Sequence, residues 1–212
     1  MDSAAKRIPK ILSILAKTFP RPRIPLDQRN AFELTVATIL SAQCTDERVN
    51  QTTPALFKRF PDSGKLARAK PADVEKMIYS TGFYRAKAKN IIGMALAVEE
   101  RFSGRIPQTM EELVTLPGVA RKTANVVLGG AFGKTEGIVV DTHVTRVAQR
   151  LALTRNQDPV KIEQDLMQLV PRASWIDFGL QLIFLGRKIC FARKPNCAGC
   201  PLNRLCPAAF KA

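Results

Sequence analysis

Four of the five cysteines in this chain lie within a short segment near the C-terminus, at Cys190, Cys197, Cys200 and Cys206. Their spacing is C-x6-C-x2-C-x5-C, and the fifth, Cys44, is far away. A disulfide framework would use an even number of cysteines dispersed through a small secreted chain. Four thiolates in one segment instead favour a metal site in a reducing compartment, which holds either zinc or an iron–sulfur cluster. Zinc modules usually present two CxxC pairs, and this segment has only one.

The charge of the chain points to a polyanionic partner. Lysine and arginine number 33 against 18 acidic residues, which gives a net charge of +15 and a pI of about 10.1. Such an excess is most often found in proteins that bind nucleic acid. A basic surface that only confers solubility is the alternative. No apolar run approaches the roughly 18 residues of a membrane span, and the N-terminus lacks the apolar block of a secretory signal.

Apolar residues recur at steps of three and four along nearly every segment, which is typical of amphipathic helices. One such stripe consists of Trp175, Phe178, Leu182, Leu185 and Ile189. Ser174 precedes it as a candidate N-cap, and Pro54 is expected to interrupt the helix predicted between Thr45 and Phe60. Only residues 137 to 140 look like a strand, and they are too few to build a sheet. The sequence therefore predicts an all-α fold.

Residues 110 to 132 read MEELVTLPGVARKTANVVLGGAF and predict two helices joined by a four-residue turn. The first helix is expected to include Leu116 and to end at Pro117-Gly118, and the second to begin near Ala120. Backbone N–H groups of such a turn and of the following helix can bind a phosphate oxygen. The segment therefore predicts a clamp on the DNA backbone that does not depend on base sequence.

Lys122 lies in the first turn of the second predicted helix. The positive end of the helix dipole disfavours an ammonium ion there, and a nucleophilic lysine must be uncharged. A simple phosphate contact is an equally good interpretation of a lysine beside this turn. The residues by themselves leave both roles open.

Asp141 precedes a helical pattern that begins at Val144, so its simplest role is an N-cap. A carboxylate held at a helix start can also stabilise a cationic sugar or receive a proton, and the two roles are compatible. His143 is the only histidine, which excludes a metal site with two histidines. We expect it to pack or to form a hydrogen bond beside the site.

Taken together, these motifs resemble the endonuclease III family of DNA repair enzymes. The hairpin LPGVARKTA, the VDTH segment at Asp141 and the 6-2-5 cysteine spacing occur here in that family's order, and the resemblance covers the chain from its first helix to its end. It implies the helix-hairpin-helix DNA glycosylase fold, with a six-helix barrel at residues 23–134 and an iron–sulfur cluster domain made of residues 1–22 and 135–212. It also implies an active site in the cleft between these domains.

The resemblance further implies a base-excision repair enzyme that removes oxidised pyrimidines from double-stranded DNA. Lys122 would attack C1′ of the extruded nucleotide to form a Schiff base, Asp141 would support base loss, and β-elimination would cleave the abasic site. The four cysteines would hold a 4Fe-4S cluster. We expect a monomer of the cytoplasm, associated with a bacterial-type nucleoid, with no membrane partner.

The resemblance also implies DNA contacts. Gln43 would fill the gap left by the extruded base, and Phe83 stands where relatives often carry a leucine wedge. Ala120 stands where the family generally has glycine, and a left-handed backbone would be costly for alanine there. The remaining expected contacts are Leu116, Gly118, Arg121, Thr123, His143, Arg187, Arg193 and Lys194.

Two other functions share these motifs. A monofunctional mispair glycosylase typically lacks a lysine at the position of Lys122 and has an additional C-terminal recognition domain. Only six residues follow Cys206 here, so both features favour the bifunctional enzyme. A non-catalytic DNA-binding module stabilised by a metal would use the hairpin for phosphate contact alone.

Overall fold

The computed structural model describes residues 3 to 211, and this part of the chain contains helices and turns but no β-strand. The all-α prediction is therefore confirmed. Contacts divide the chain into two compact units. Residues Ile24–Glu136 form one, which we call the hairpin unit, and the residues up to Arg23 together with those from Gly137 onward form the other, the cysteine unit. That they correspond to a six-helix barrel and an iron–sulfur domain stays a prediction. None of the helices between residues 3 and 211 is long and apolar enough to cross a membrane.

The hairpin unit is built from helices around one hydrophobic core. They are α2 (Ala31–Leu40), α3 (Asp46–Arg59), α4 (Ser63–Ala67), α5 (Pro71–Ile78), α6 (Tyr84–Phe102), α7 (Met110–Leu113) and α8 (Arg121–Phe132), with a 3₁₀ turn at Tyr79–Thr81. α6 packs against α4 and α5, and α2 packs against α8. Fully buried side chains such as Leu34, Ile91 and Leu128 fill the space between them.

The cysteine unit combines the first helix of the chain with its last third. Its helices are α1 (Ala4–Thr18), α9 (Thr142–Arg150), α10 (Pro159–Leu169) and α11 (Trp175–Lys188), with 3₁₀ turns at Arg172–Ser174 and Asn203–Leu205. α11 packs against α9 and α1. Arg7 of α1 is buried, and its Nη1 donates hydrogen bonds of 2.8 Å to the carbonyls of Leu151 and Leu205.

Two local predictions are wrong. Pro54 does not interrupt α3, because it lies on the exposed face while Val49 and Leu56 continue the buried face on either side. Solvent can hydrate the carbonyl that loses its N–H partner on that face, and core packing keeps the helix intact. Ser174 precedes α11, but its side chain makes no capping hydrogen bond. In contrast, Asp158 caps α10, because its side-chain Oδ1 accepts a hydrogen bond of 2.9 Å from the Lys161 backbone N–H.

Candidate functional site

The turn between α7 and α8 depends on glycine at position 118. Gly118 has a φ of +76°, and a Cβ built there would lie 2.9 Å from Cβ of Asn90. The first helix of the hairpin ends at Leu113, earlier than predicted, and the turn to α8 is longer than four residues. Within this turn, the Leu116 N–H donates to the Leu113 carbonyl and the Val119 N–H donates to the Leu116 carbonyl, each at 3.1 Å. Both the left-handed backbone and the close approach of Asn90 exclude a side chain at Gly118.

The hairpin corrects two expectations about its side chains. Ala120 has φ −85° and ψ 170°, so it is extended and the expected cost of a left-handed alanine does not arise. Leu116 is 3% exposed and belongs to the core, so its side chain packs inside and is not available to contact DNA as expected. Lys122, the second residue of α8, is exposed. The neighbouring Arg121 and Thr123 are half-buried.

Asp141 caps α9 as predicted. Its Oδ1 accepts a hydrogen bond of 2.8 Å from the Val144 N–H, and the residue is half-buried. The cap orients the carboxylate at the N-terminal end of the helix, where the dipole favours negative charge. Asp141 belongs to the cysteine unit and Lys122 to the hairpin unit.

His143 follows in the first turn of α9 and is half-buried. Burial lowers the pKa of its imidazole, the charges of Arg146 and Arg187 act in the same direction, and Asp141 opposes them. A Cβ at Gly186 of α11 would lie 2.9 Å from Cβ of His143. The close approach of α11 to this ring therefore requires glycine at position 186.

The four C-terminal cysteines face one cavity. They are free, half-buried thiols that line one pocket, partly open to solvent, together with Arg150, two asparagines and apolar side chains. The four residues are Cys190, Cys197, Cys200 and Cys206. Burial raises the pKa of Cys200 and of Cys206. Within residues 3 to 211, no three histidine, cysteine or acidic side chains are grouped so as to hold a metal ion. The donor set still fits a group that takes four soft, anionic ligands, because all four thiols line this one pocket.

Two arginines of α9 bind the chain around the first cysteine, and sequence reasoning missed both. Arg146 donates to the carbonyl of Cys190 at 3.0 Å and to that of Gly186 at 2.9 Å, and it contacts Nδ1 of His143 at 3.2 Å. Arg150 donates to the Phe191 carbonyl at 2.7 Å and to Sγ of Cys190 at 3.3 Å. The available signal was the spacing of four residues, which places two arginines on one face of a helix.

The other expected DNA contacts lie at exposed positions. Arg187, Arg193 and Lys194 are exposed around the first cysteine in the cysteine unit. In the hairpin unit, Gln43 is exposed with φ +52°, and Phe83 is 66% exposed with φ +48°.

Comparison with known proteins agrees with this geometry. Residues 36–172 match the family model of the HhH-GPD superfamily of base excision DNA repair proteins. Endonuclease III of Synechocystis sp. is 54% identical over 209 residues, which cover 99% of this chain and 95% of that protein.

Two solved structures are also similar to this chain, each with a TM-score of 0.93 and 40% sequence identity. One is a non-covalent endonuclease III–DNA complex, with 99% of this chain and 97% of that chain covered. The other is a trapped endonuclease III–DNA covalent intermediate, with 99% and 98% covered. The match spans more than half of the chain in the family model and nearly all of it in these relatives, and the protein therefore belongs to the endonuclease III family of the HhH-GPD superfamily.

Proposed function

We propose that this chain is a bifunctional DNA glycosylase and abasic-site lyase that removes oxidised pyrimidines from double-stranded DNA. The observation that carries the proposal is Lys122, exposed at the start of α8 directly after the Gly118 turn. A lysine in that place is accessible to an extruded sugar. The similarity to an endonuclease III that was trapped covalently on DNA supports the same chemistry.

DNA binding begins with the phosphate backbone. The N-terminus of α8 and the turn at Gly118 present backbone N–H groups to a phosphate, and the net charge of +15 supplies attraction to the duplex that weakens with salt. The target nucleotide then leaves the base stack. Gln43 fills the space that it vacates, and Phe83 enters the stack beside it.

The chemistry requires one nucleophile and one carboxylate. The uncharged amine of Lys122 attacks C1′ of the extruded sugar and displaces the damaged base. The C1′–O4′ bond then opens to leave a Schiff base, with O4′ taking up the proton that the amine releases, and β-elimination breaks the C3′–O3′ bond on the 3′ side. Asp141, held by the Val144 N–H, stabilises the cationic sugar and receives a proton from the lysine. Lys122 lies at the beginning of α8 and Asp141 at the beginning of α9, and these positions determine their roles.

We also propose that Cys190, Cys197, Cys200 and Cys206 hold a 4Fe-4S cluster. When bound, the cluster supplies four iron–thiolate bonds that cross-link the end of the chain. The exposed Arg193 and Lys194 then lie on a stiffened loop suited to a phosphate backbone. A brown protein that contains iron supports this assignment, and a colourless protein that contains zinc contradicts it. We place the enzyme in the cytoplasm at the nucleoid, as a monomer.

Borohydride trapping on abasic-site DNA tests the lysine. The unmodified protein should form a covalent adduct, and Lys122→Gln should lose it and cleave the strand at least about 10³-fold more slowly. Lys161→Gln, which removes an exposed lysine of α10, is the matched control and should trap normally. Base release without an adduct would indicate a monofunctional glycosylase, and binding without base release a non-catalytic module.

Paired substitutions at Asp141 separate the cap from the chemistry. Asparagine caps helices as well as aspartate does, so Asp141→Asn should cleave more than about 10²-fold more slowly with nearly unchanged stability. Asp141→Ala should in addition lose about 1 kcal/mol of stability. Single-turnover cleavage and urea denaturation measure the two effects. An Asp141→Asn chain that cleaves at the normal rate would remove the carboxylate from the mechanism.

A further inference from the structure

Lys87 of α6 is a buried cation that the proposed mechanism does not use. The residue is 4% exposed, and its Nζ donates hydrogen bonds of 2.8 Å to the Leu40 carbonyl and 2.7 Å to the Thr81 carbonyl. Within the part of the chain that the structure describes, both hydrogen-bond partners are backbone carbonyls, and no carboxylate pairs with the ammonium. Burial lowers the pKa of this amine. Burying an unpaired ammonium is costly, so the two bonds require an explanation beyond packing.

The two carbonyls belong to the ends of two different elements. Leu40 is the last residue of α2, and its carbonyl lies at the negative end of that helix, where a cation is favourable. Thr81 is the last residue of the 3₁₀ turn that precedes α6. One side chain therefore joins the end of α2 to the turn before α6.

Each joined end leads directly to an exposed residue in a left-handed conformation. Gln43, with φ +52°, lies three residues after Leu40, and Phe83, with φ +48°, lies two residues after Thr81. The backbone N–H of Lys87 also donates to the Phe83 carbonyl at 3.0 Å. Lys87 thus holds the backbone on both sides of Phe83 and at the start of the turn that carries Gln43.

Left-handed backbone at a residue other than glycine persists only where the surroundings enforce it. Arg21, Ser103, Ala152, Lys194 and Phe210 also have positive φ. Of these, Ser103 and Ala152 follow the ends of α6 and α9, where such a residue is common. Phe83 instead stands before a helix, with its ring largely in solvent. Strained backbone positions cluster at functional sites, so the exposed phenyl group of Phe83 is a candidate for contact with a partner.

We infer that Lys87 is a positioning residue that fixes Gln43 and Phe83 relative to each other, so that both enter a DNA duplex in one step. The inference rests on the proposed function, because it assigns a partner to these two side chains. A pair held in place before binding loses less conformational entropy on insertion than two independent loops. Misplacement of either residue should therefore slow extrusion of the nucleotide.

The test uses 2-aminopurine, a fluorescent base that brightens when it is unstacked, next to an abasic site in a duplex. Lys87→Met should slow the fluorescence rise at least about tenfold, since small misplacements at a site are costly in rate. Lys89→Met is the matched control, because it removes an exposed lysine two residues along the same helix, and it should change the rate less than about twofold.

A double-mutant cycle separates positioning from mere stability. In a Gln43→Ala/Phe83→Ala chain, Lys87→Met should cause no further slowing, because the groups through which it acts are gone. An equal, additive loss in both backgrounds would overturn the inference. If Lys87→Met does not fold, Lys87→Gln, which retains an N–H donor of shorter reach, takes its place in the cycle.

Failure of this inference is distinguishable from failure of the proposed function. The fluorescence measurement does not require cleavage, so the whole cycle can be repeated with Lys122→Gln present. A protein that extrudes the nucleotide but forms no covalent adduct on abasic DNA contradicts the lyase activity. The Lys87 cycle then still tests the positioning role, because it depends on extrusion alone. A protein that traps normally while its Lys87 losses are additive contradicts only the positioning role.

Discussion

The hairpin unit and the C-terminal cysteine segment, Cys190–Lys211, are ordered by different means. The hairpin unit has a continuous core in which side chains such as Leu34, Ile91 and Leu128 are fully buried. Of residues 190–211, only Leu202 is buried, and the regular structure of the segment is one 3₁₀ turn. Hydrophobic burial therefore explains the first region and not the second.

Hydrogen bonds alone do not offset the entropy lost when the cysteine segment is ordered. Ordering a chain costs roughly 1–2 kcal/mol for each residue, whereas an intramolecular hydrogen bond returns only about 1 kcal/mol. The segment has backbone hydrogen bonds of its own, and Arg7, Arg146 and Arg150 add several more, but together they return less than the cost of ordering its residues. We propose ligation by the four thiols as the remaining source of order, because binding energy at a structural metal site is folding energy.

Removal of two of the proposed metal ligands should therefore have the largest effect, and the effect should be local. In a Cys200→Ser/Cys206→Ser chain, amides of the cysteine segment should exchange with solvent at least about 100-fold faster, and those of α2 and α6 should change little. Hydrogen exchange followed by mass spectrometry measures both regions at once. Cys44→Ser, which removes the cysteine outside the segment, should alter neither. Loss of protection throughout the hairpin unit would break the comparison.

A substitution in the hydrophobic core should instead destabilise the hairpin unit. Met94 of α6 is fully buried, so Met94→Ala should lower the free energy of unfolding by about 2–5 kcal/mol through lost burial and a cavity. Leu96 lies on the same helix and is 45% exposed, so Leu96→Ala should cost less than about 1 kcal/mol. Urea denaturation followed by circular dichroism measures the difference. Equal losses would contradict a core-dominated hairpin unit.

The fold was largely predictable from local patterns, because helices with one apolar stripe reveal their period. The apolar stripe through Trp175, Phe178 and Leu182 predicted α11 correctly, and Asp141 was correctly predicted as an N-cap. The predicted interruption at Pro54 is wrong, since the effect of a proline depends on which face of the helix is buried. Local signals therefore predict elements and caps, while burial decides the exceptions.

The support of the site was not predictable in the same way. Lys87 and Arg146 bind carbonyls 47 and 44 residues away in the chain. A backbone carbonyl has no residue type that sequence can signal, so a lysine or arginine that binds one resembles any other surface cation. Ala120 shows the same limit, because its extended conformation depends on the path of the whole turn.

A smaller effect is expected where α9 binds the cysteine segment. Arg150→Met should lower the unfolding free energy of that segment by about 1–2 kcal/mol, because charged hydrogen bonds to the Phe191 and Ala192 carbonyls are lost at a partly exposed site. Arg155→Met, an exposed arginine beyond the end of the same helix, is the control and should cost almost nothing. Local hydrogen exchange of residues 190–192 provides the measurement. If Arg150→Met matched the double cysteine variant, hydrogen bonds rather than ligation would order the segment.

The smallest effect concerns His143, which tests whether the helical part of the cysteine unit is packed like a core. Burial lowers the pKa of this ring, so we expect a value below the ordinary value of about 6.5 in a titration by NMR, where the single imidazole is unambiguous. The unfolded chain then binds the proton more tightly than the folded one. Stability should fall as the pH drops from about 6.5 toward the folded pKa, and should be level above that range.

His143→Gln removes this titration and keeps a polar side chain between Asp141 and Arg146. Its unfolding free energy should therefore lose the slope just below pH 6.5, while the general acid destabilisation caused by carboxylates at lower pH remains. A pKa at or above 6.5 would mean that attraction to Asp141 exceeds the cost of burial and the repulsion from Arg146 and Arg187. Charge attraction rather than burial would then control the titration at the start of α9, which would contradict core-like packing of this ring.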